Sequence, residues 1–161
     1  MELTDIRLFI KNNSKIISLN IDYGDDGDIY TYIINIQGVN HTLKLIEDGD
    51  MIILNYNDIN YTDYNDIQLE LFELFNYKNI EYIDCYILKK RNTIDFEILD
   101  LYDDYYDNND DILICNRSFK RNDQLIKIKI TYQNEEYTMY YNLVIIHGFD
   151  NIIEKIDLLL Q

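Results

Sequence analysis

The chain has 161 residues, enough for one ordinary domain or two very small ones fused, and enough to bury roughly 70% of its unfolded surface. Thirty acidic residues against fourteen lysines and arginines give a formal charge of −16. That balance excludes unassisted binding to DNA, RNA or an anionic membrane, because phosphate recognition depends on cations that displace counterions. With 47% apolar residues, 29 isoleucines and 16 tyrosines, a disordered acidic tail is excluded as well.

Proline, tryptophan and alanine are absent, while Ile, Asn and Tyr are abundant, a bias of the kind an AT-rich gene encodes. The same bias should favour lysine over aspartate, yet Asp outnumbers Lys 21 to 10. The acidity therefore reads as retained for an interaction, with simple solubility as the competing account. Met1 to Asp5 carries no basic and apolar leader pattern, and runs such as Leu143 to Ile146 are too short to span a bilayer, so the expectation is a soluble, cytoplasmic protein. Cys85 and Cys115, thirty positions apart, read as reduced thiols in or near the core.

In chain order, residues 3–12 fit a short helix or an edge strand equally. From Ile16 the period is two: Ile17, Leu19, Ile21 and Tyr23 alternate with Ser18, Asn20 and Asp22. A turn at Gly24 to Asp28 leads to a strand through Tyr30, Tyr32, Ile34 and Ile36. Gly38-Val39-Asn40 turns into a strand from His41 to Ile46, and Glu47 to Asp50 turns into one from Met51 to Tyr56. Ile67, Leu71, Leu74 and Phe75 then fall at helical spacing, which predicts a helix near 64–77 with Asp63 or Thr62 as its cap. The second half predicts a hairpin of Asn79 to Leu88 and Thr93 to Leu101 over Lys89 to Asn92, and a strand from Ile112 to Cys115. A further hairpin pairs Leu125 to Tyr132 with Tyr137 to Ile146, and a closing helix near 150–160 buries Ile152, Ile153, Ile156, Leu159 and Leu160. The sum is one α+β domain over 1–161, with antiparallel meanders of roughly eight or nine strands and two principal helices. Gln37 to Leu43 echoes Gln133 to Met139, and Tyr64 to Ile67 echoes Phe149 to Ile152. The offsets of 96 and 85 disagree, so chance in a biased composition accounts for the echo as well as a weak duplication of roughly 16–78 and 79–161 does.

Charge is unevenly placed. Residues 16–77 hold twelve acids and one cation, Lys44, and residues 92–111 hold eight acids and no cation. Basic residues gather at Lys89 to Arg91 and from Arg117 to Lys129, either as a second contact or as neutralising partners. Acids on alternate strand positions recur about every 6.8 Å, near the rise of two phosphates along one DNA strand, so an acidic sheet with acidic turns imitates a nucleic-acid backbone coarsely. The partner-binding candidates are Asp25, Asp26 and Asp28, Asp48 and Asp50, and the run Tyr102, Asp103, Asp104, Tyr105, Tyr106, Asp107, Asp110 and Asp111. The run is the best single candidate because it mixes carboxylates with aromatic rings of the kind that anchor interfaces; its competing account is a solvated loop with rings folded on the core.

Catalytic patterns are sparse. Asp22 to Ile29 starts like a calcium loop, but Gly24 stands at position three and Ile33 at position twelve, leaving too few oxygens. His41 and His147 each lack a second ligand at metal spacing, and no phosphate loop, dinucleotide fingerprint or nucleophile elbow is present. No metal, cofactor or catalytic residue is expected, and thirty acids make accidental carboxylate pairs uninformative.

The expected function is an acidic inhibitor that covers the basic nucleic-acid-binding surface of another protein, such as a nuclease or guide-directed effector, without touching nucleic acid or membrane itself. Anti-restriction, anti-CRISPR and glycosylase-inhibitor proteins of phages and mobile elements offer an analogy of principle, with no motif here assigning the chain to any of them. The alternative is an immunity protein that neutralises a basic toxin.

Overall fold

A computed structural model describes residues 3–25, 27–91, 97–100 and 112–161. The chain forms two compact units, Met1–Tyr77 and Lys78–Gln161.

In the first unit, helix α1 (Leu3–Asn13) precedes strands β1 (Lys15–Gly24), β2 (Gly27–Ile36), β3 (Val39–Asp48), β4 (Met51–Tyr56) and β5 (Ile59–Tyr61), and α2 (Tyr64–Leu74) follows. The strands form an antiparallel sheet in chain order. Period-two alternation puts Tyr30, Tyr32, Ile34, Leu43, Leu45 and Leu54 on one face, which Ile6 and Ile10 of α1 and Ile67 and Leu71 of α2 cover. Helix α1 ends where Asn13 Nδ2 and Ser14 Oγ donate to the carbonyls of Phe9 and Ile10. Asp63 caps α2 by accepting from the Asn65 amide at 2.9 Å. Asn76, at φ 50°, stops that helix, with Asn76 N donating to Glu73 O and Tyr77 N to Phe72 O, so two terminal carbonyls are satisfied.

In the second unit, α3 (Ile80–Arg91) precedes β6 (Glu97–Asp100), β7 (Leu113–Arg121), β8 (Gln124–Gln133), β9 (Glu136–Tyr141) and β10 (Val144–His147), and α4 (Phe149–Leu160) closes the chain. These strands too form a five-stranded antiparallel sheet in chain order. Its core joins Cys115, Phe119, Ile126, Ile128, Ile130 and Met139 to Ile80, Ile83 and Ile87 of α3 and Ile152, Ile156 and Leu160 of α4.

The α+β class, the meanders and the two principal helices of the sequence reading are present, with differences in detail. Residues 3–13 are helical. The expected hairpin at 79–101 is wrong in its first arm: Asn79 to Leu88 lies largely in α3, because Ile80, Ile83 and Ile87 share a helical face and Asn79 Oδ1 accepts from the Tyr82 amide at 2.8 Å as a cap. The strand expected from Tyr137 to Ile146 is two strands, β9 and β10, folded at Asn142, whose φ is 52°.

The two units share one order, helix, five-stranded meander, helix, and the match is close. Turns Gln37–Gly38, Gly49–Asp50 and Asn57–Asp58 and the α2 start at Tyr64 recur 85 positions later at Asn122–Asp123, Asn134–Glu135, Asn142–Leu143 and the α4 start at Phe149. Buried positions follow the same spacing: Ile34 and Phe119, Leu43 and Ile128, Leu45 and Ile130, Leu54 and Met139, Ile67 and Ile152, Leu71 and Ile156. The β1 register shift beside Ile34 and Ile33 reappears in β6 beside Phe119 and Ser118. Residues 37–43 therefore correspond to 122–128, and the echo of 37–43 in 133–139 is one hairpin out of register. No described helix is long and apolar enough to cross a membrane.

Candidate functional site

A meander sends alternate turns to opposite ends of its sheet, so the β1–β2 and β3–β4 turns of the first unit leave the same end. Asp25 and Asp28 lie in the first of these hairpins and Asp48 and Asp50 in the second. The β2–β3 register, with Ile29 opposite Ile46 and Ile36 opposite Val39, places Asp28 across from Glu47 on neighbouring strands about 4.8 Å apart. The hairpins are packed tightly: a Cβ on Gly27 would lie 1.6 Å from the Glu47 carbonyl oxygen, and Gly27 has φ 141°. Only glycine allows that approach. Four of the sequence-predicted residues, Asp25, Asp28, Asp48 and Asp50, thus share one end of the sheet with Glu47. Glu47 is not among the sequence-predicted candidates, and its place in the predicted turn Glu47 to Asp50 is the signal that finds it.

The carboxylates at this end lack cationic partners among the described residues. Tyr30 Oη donates to Asp28 Oδ2 at 3.2 Å, and Asn20 Nδ2 donates to Asp22 Oδ1 at 3.1 Å. Burial first, and then the bond to Asp28, hold the Tyr30 phenol above its ordinary pKa. In the second unit acids and bases do pair: Lys78 with Asp150, Lys90 with Asp157, Lys120 with Asp123, and buried Arg117 with Asp84. Burial works to raise the Asp157 carboxyl, but hydrogen bonds from Lys90 and Tyr86 prevail and leave it below the usual range. The cations from Arg117 to Lys129 are thereby partly neutralisers, while Lys127 and Lys129 stand exposed on β8.

One expectation is corrected. Among the described residues of the first sheet, the acids do not line a strand face. The polar row across the first sheet is Asn20, Thr31, Lys44, Asn55 and Asn60, with amides, a hydroxyl and one cation, and the acids gather at turns, where short polar side chains suit the backbone. Asp26 and the run Tyr102, Asp103, Asp104, Tyr105, Tyr106, Asp107, Asp110 and Asp111 lie outside the described residues. That run connects β6 to β7. Leu113, the first residue of β7, pairs with Tyr132, next to the β8–β9 turn that carries Glu135 and Glu136.

Cys85 and Cys115 are buried free thiols, and Cys115 Sγ lies 4.0 Å from Asp84 Oδ1. His41 Nδ1 is 2.9 Å from Tyr56 Oη, and His147 Nδ1 is 2.9 Å from Glu136 Oε1. Among the described residues, no three His, Cys, Asp or Glu side chains are placed to hold a metal. No known protein family matches the chain, and neither a curated protein nor a solved structure is significantly similar to it.

Proposed function

We propose that this is an acidic inhibitor that occupies the basic nucleic-acid-binding surface of a nuclease or another nucleic-acid-processing enzyme, acting in the cytoplasm as a binding protein. The observation that carries the reading is the end of the first sheet, where Asp25, Asp28, Glu47, Asp48 and Asp50 converge without cationic partners among the described residues. Asp28, Glu47 and Asp48 stand on paired strands and Asp25 and Asp50 in the short turns that join them, so little backbone freedom is lost when a cationic surface docks. A fixed anionic end also steers a basic partner and speeds its encounter. The apolar, aromatic-rich chain leaves Tyr23 exposed beside this end as a contact that slows release.

The test starts from the native host's lysate. The protein should retain a basic partner at low salt and release it at high salt, and D25N/D28N/D48N/D50N should bind that isolated partner at least tenfold more weakly with its thermal midpoint unlowered. Duplex DNA or RNA should displace the inhibitor from the partner. Simultaneous binding of nucleic acid and inhibitor would refute the reading, and a secreted toxin as the isolated partner would replace it with an immunity role.

A further inference from the structure

A cleft of about 330 Å³ opens in the first unit between α1 and the β1 side of the sheet, lined by Thr4, Arg7, Leu8, Lys11, Ile16, Leu19 and Tyr32. Its volume is at the lower end of the range for small-molecule sites. Its chemistry is two-sided. Leu8 and Leu19 are 53% and 40% exposed and make an apolar wall with Ile16, while Arg7 and Lys11, one helical turn apart, supply two cations. That pairing stands out in a unit whose only cations are Arg7, Lys11, Lys15 and Lys44.

The second unit fills the corresponding positions differently. Ile6 and Ile10 of α1 correspond to Ile83 and Ile87 of α3, which sets Arg7 against Asp84; Tyr32 of β2 corresponds to Arg117 of β7. The same junction of helix and second strand therefore holds a polar pair in both units. In the second it is closed: Arg117 donates through Nε and the outer Nη2 to both oxygens of Asp84, each at 2.5 Å, with both residues buried. In the first, Arg7 Nε donates to Tyr32 Oη at 3.1 Å and the guanidinium sits 4.4 Å over the Tyr30 ring. Among the described residues the remaining Arg7 donors meet no carboxylate. Lys11 corresponds to Leu88, so the second cation belongs to the first unit alone.

We propose that this cleft binds an aliphatic monocarboxylate. The head group takes the Nη donors of Arg7 that the bond from Nε to Tyr32 leaves, with Lys11 as the second cation. The alkyl chain lies along Leu8, Ile16 and Leu19. The parallel Nη donors of a guanidinium suit a carboxylate, and apolar contact grows with each buried methylene, so head and tail both contribute.

The test is a titration of the full chain with octanoate, followed by methyl NMR. Saturable shifts are expected at Leu8, Ile16 and Leu19, with octanol and octylammonium at least tenfold weaker. R7Q should weaken octanoate at least tenfold, and K11Q, at an exposed helical position, at least threefold with an unchanged thermal midpoint. If R7Q fails to fold, K11Q alone decides. Equal affinity for octanol, an unaffected K11Q, or no saturation with octanoate would each overturn the proposal.

Discussion

Arg117 and Asp84 show how much depends on one residue. Two charges are buried together, Asp84 6% and Arg117 3% exposed, and each makes the other tolerable. Removing one partner leaves an uncompensated buried charge, so Arg117→Ala should cost about 3–5 kcal/mol. D84L/R117M removes both charges and should cost far less than the sum of the single changes; denaturant melts of the three variants read the difference. Tyr61 makes a pH-dependent contribution. Burial first, and then its hydrogen bond with Glu70, push its phenol up to about 12. The fold favours the neutral phenol, so the contribution is complete below the unfolded pKa near 10 and is lost as pH rises through about 12. An absorbance titration at 295 nm should show a late-ionising tyrosine fraction, to which the raised Tyr30 and Tyr86 also belong, that Y61F reduces, and Y61F should flatten the stability loss between pH 10 and 12.

At the scale of elements, legibility followed periodicity. The first four strands were readable because Tyr30, Tyr32, Ile34, Leu43, Leu45 and Leu54 alternate cleanly with polar residues, and the closing helix because Ile152, Ile156 and Leu160 recur every fourth position. Helix α3 was missed because Ile and Tyr dominate it, residues that favour strands by local preference, and its cap at Asn79 was hidden among nineteen asparagines. The acidic turns were legible as turns. That two of them share an end follows from meander topology, but the closeness of Gly27 to Glu47 does not, since a glycine in the sequence does not say which backbone it faces. Gly27→Ala should force those hairpins apart and lower the thermal midpoint by several degrees, whereas Gly38→Ala meets no neighbouring atom and should cost less; paired thermal melts decide.

For the molecule as a whole, the repeated architecture was hardly visible in the residues. Between 27–75 and 112–160 only six positions are identical, Ile29, Lys44, Tyr56, Asn57, Ile67 and Leu74 with their counterparts, which this composition produces nearly by chance. What persists is the spacing of turns and of buried side chains, the part of a sequence that packing constrains and identity counting ignores. The meander has a kinetic consequence. Each strand pairs with its neighbour in sequence, so apart from the twelve residues between β6 and β7 sheet assembly closes only short loops and pays little entropy before contacts reward it. With no proline in the chain, amide isomerisation of the slow kind has no site. Stopped-flow dilution from urea should therefore recover native tyrosine fluorescence within about a second, with no component lasting tens of seconds, so a newly synthesised copy is ready to act almost as soon as it leaves the ribosome.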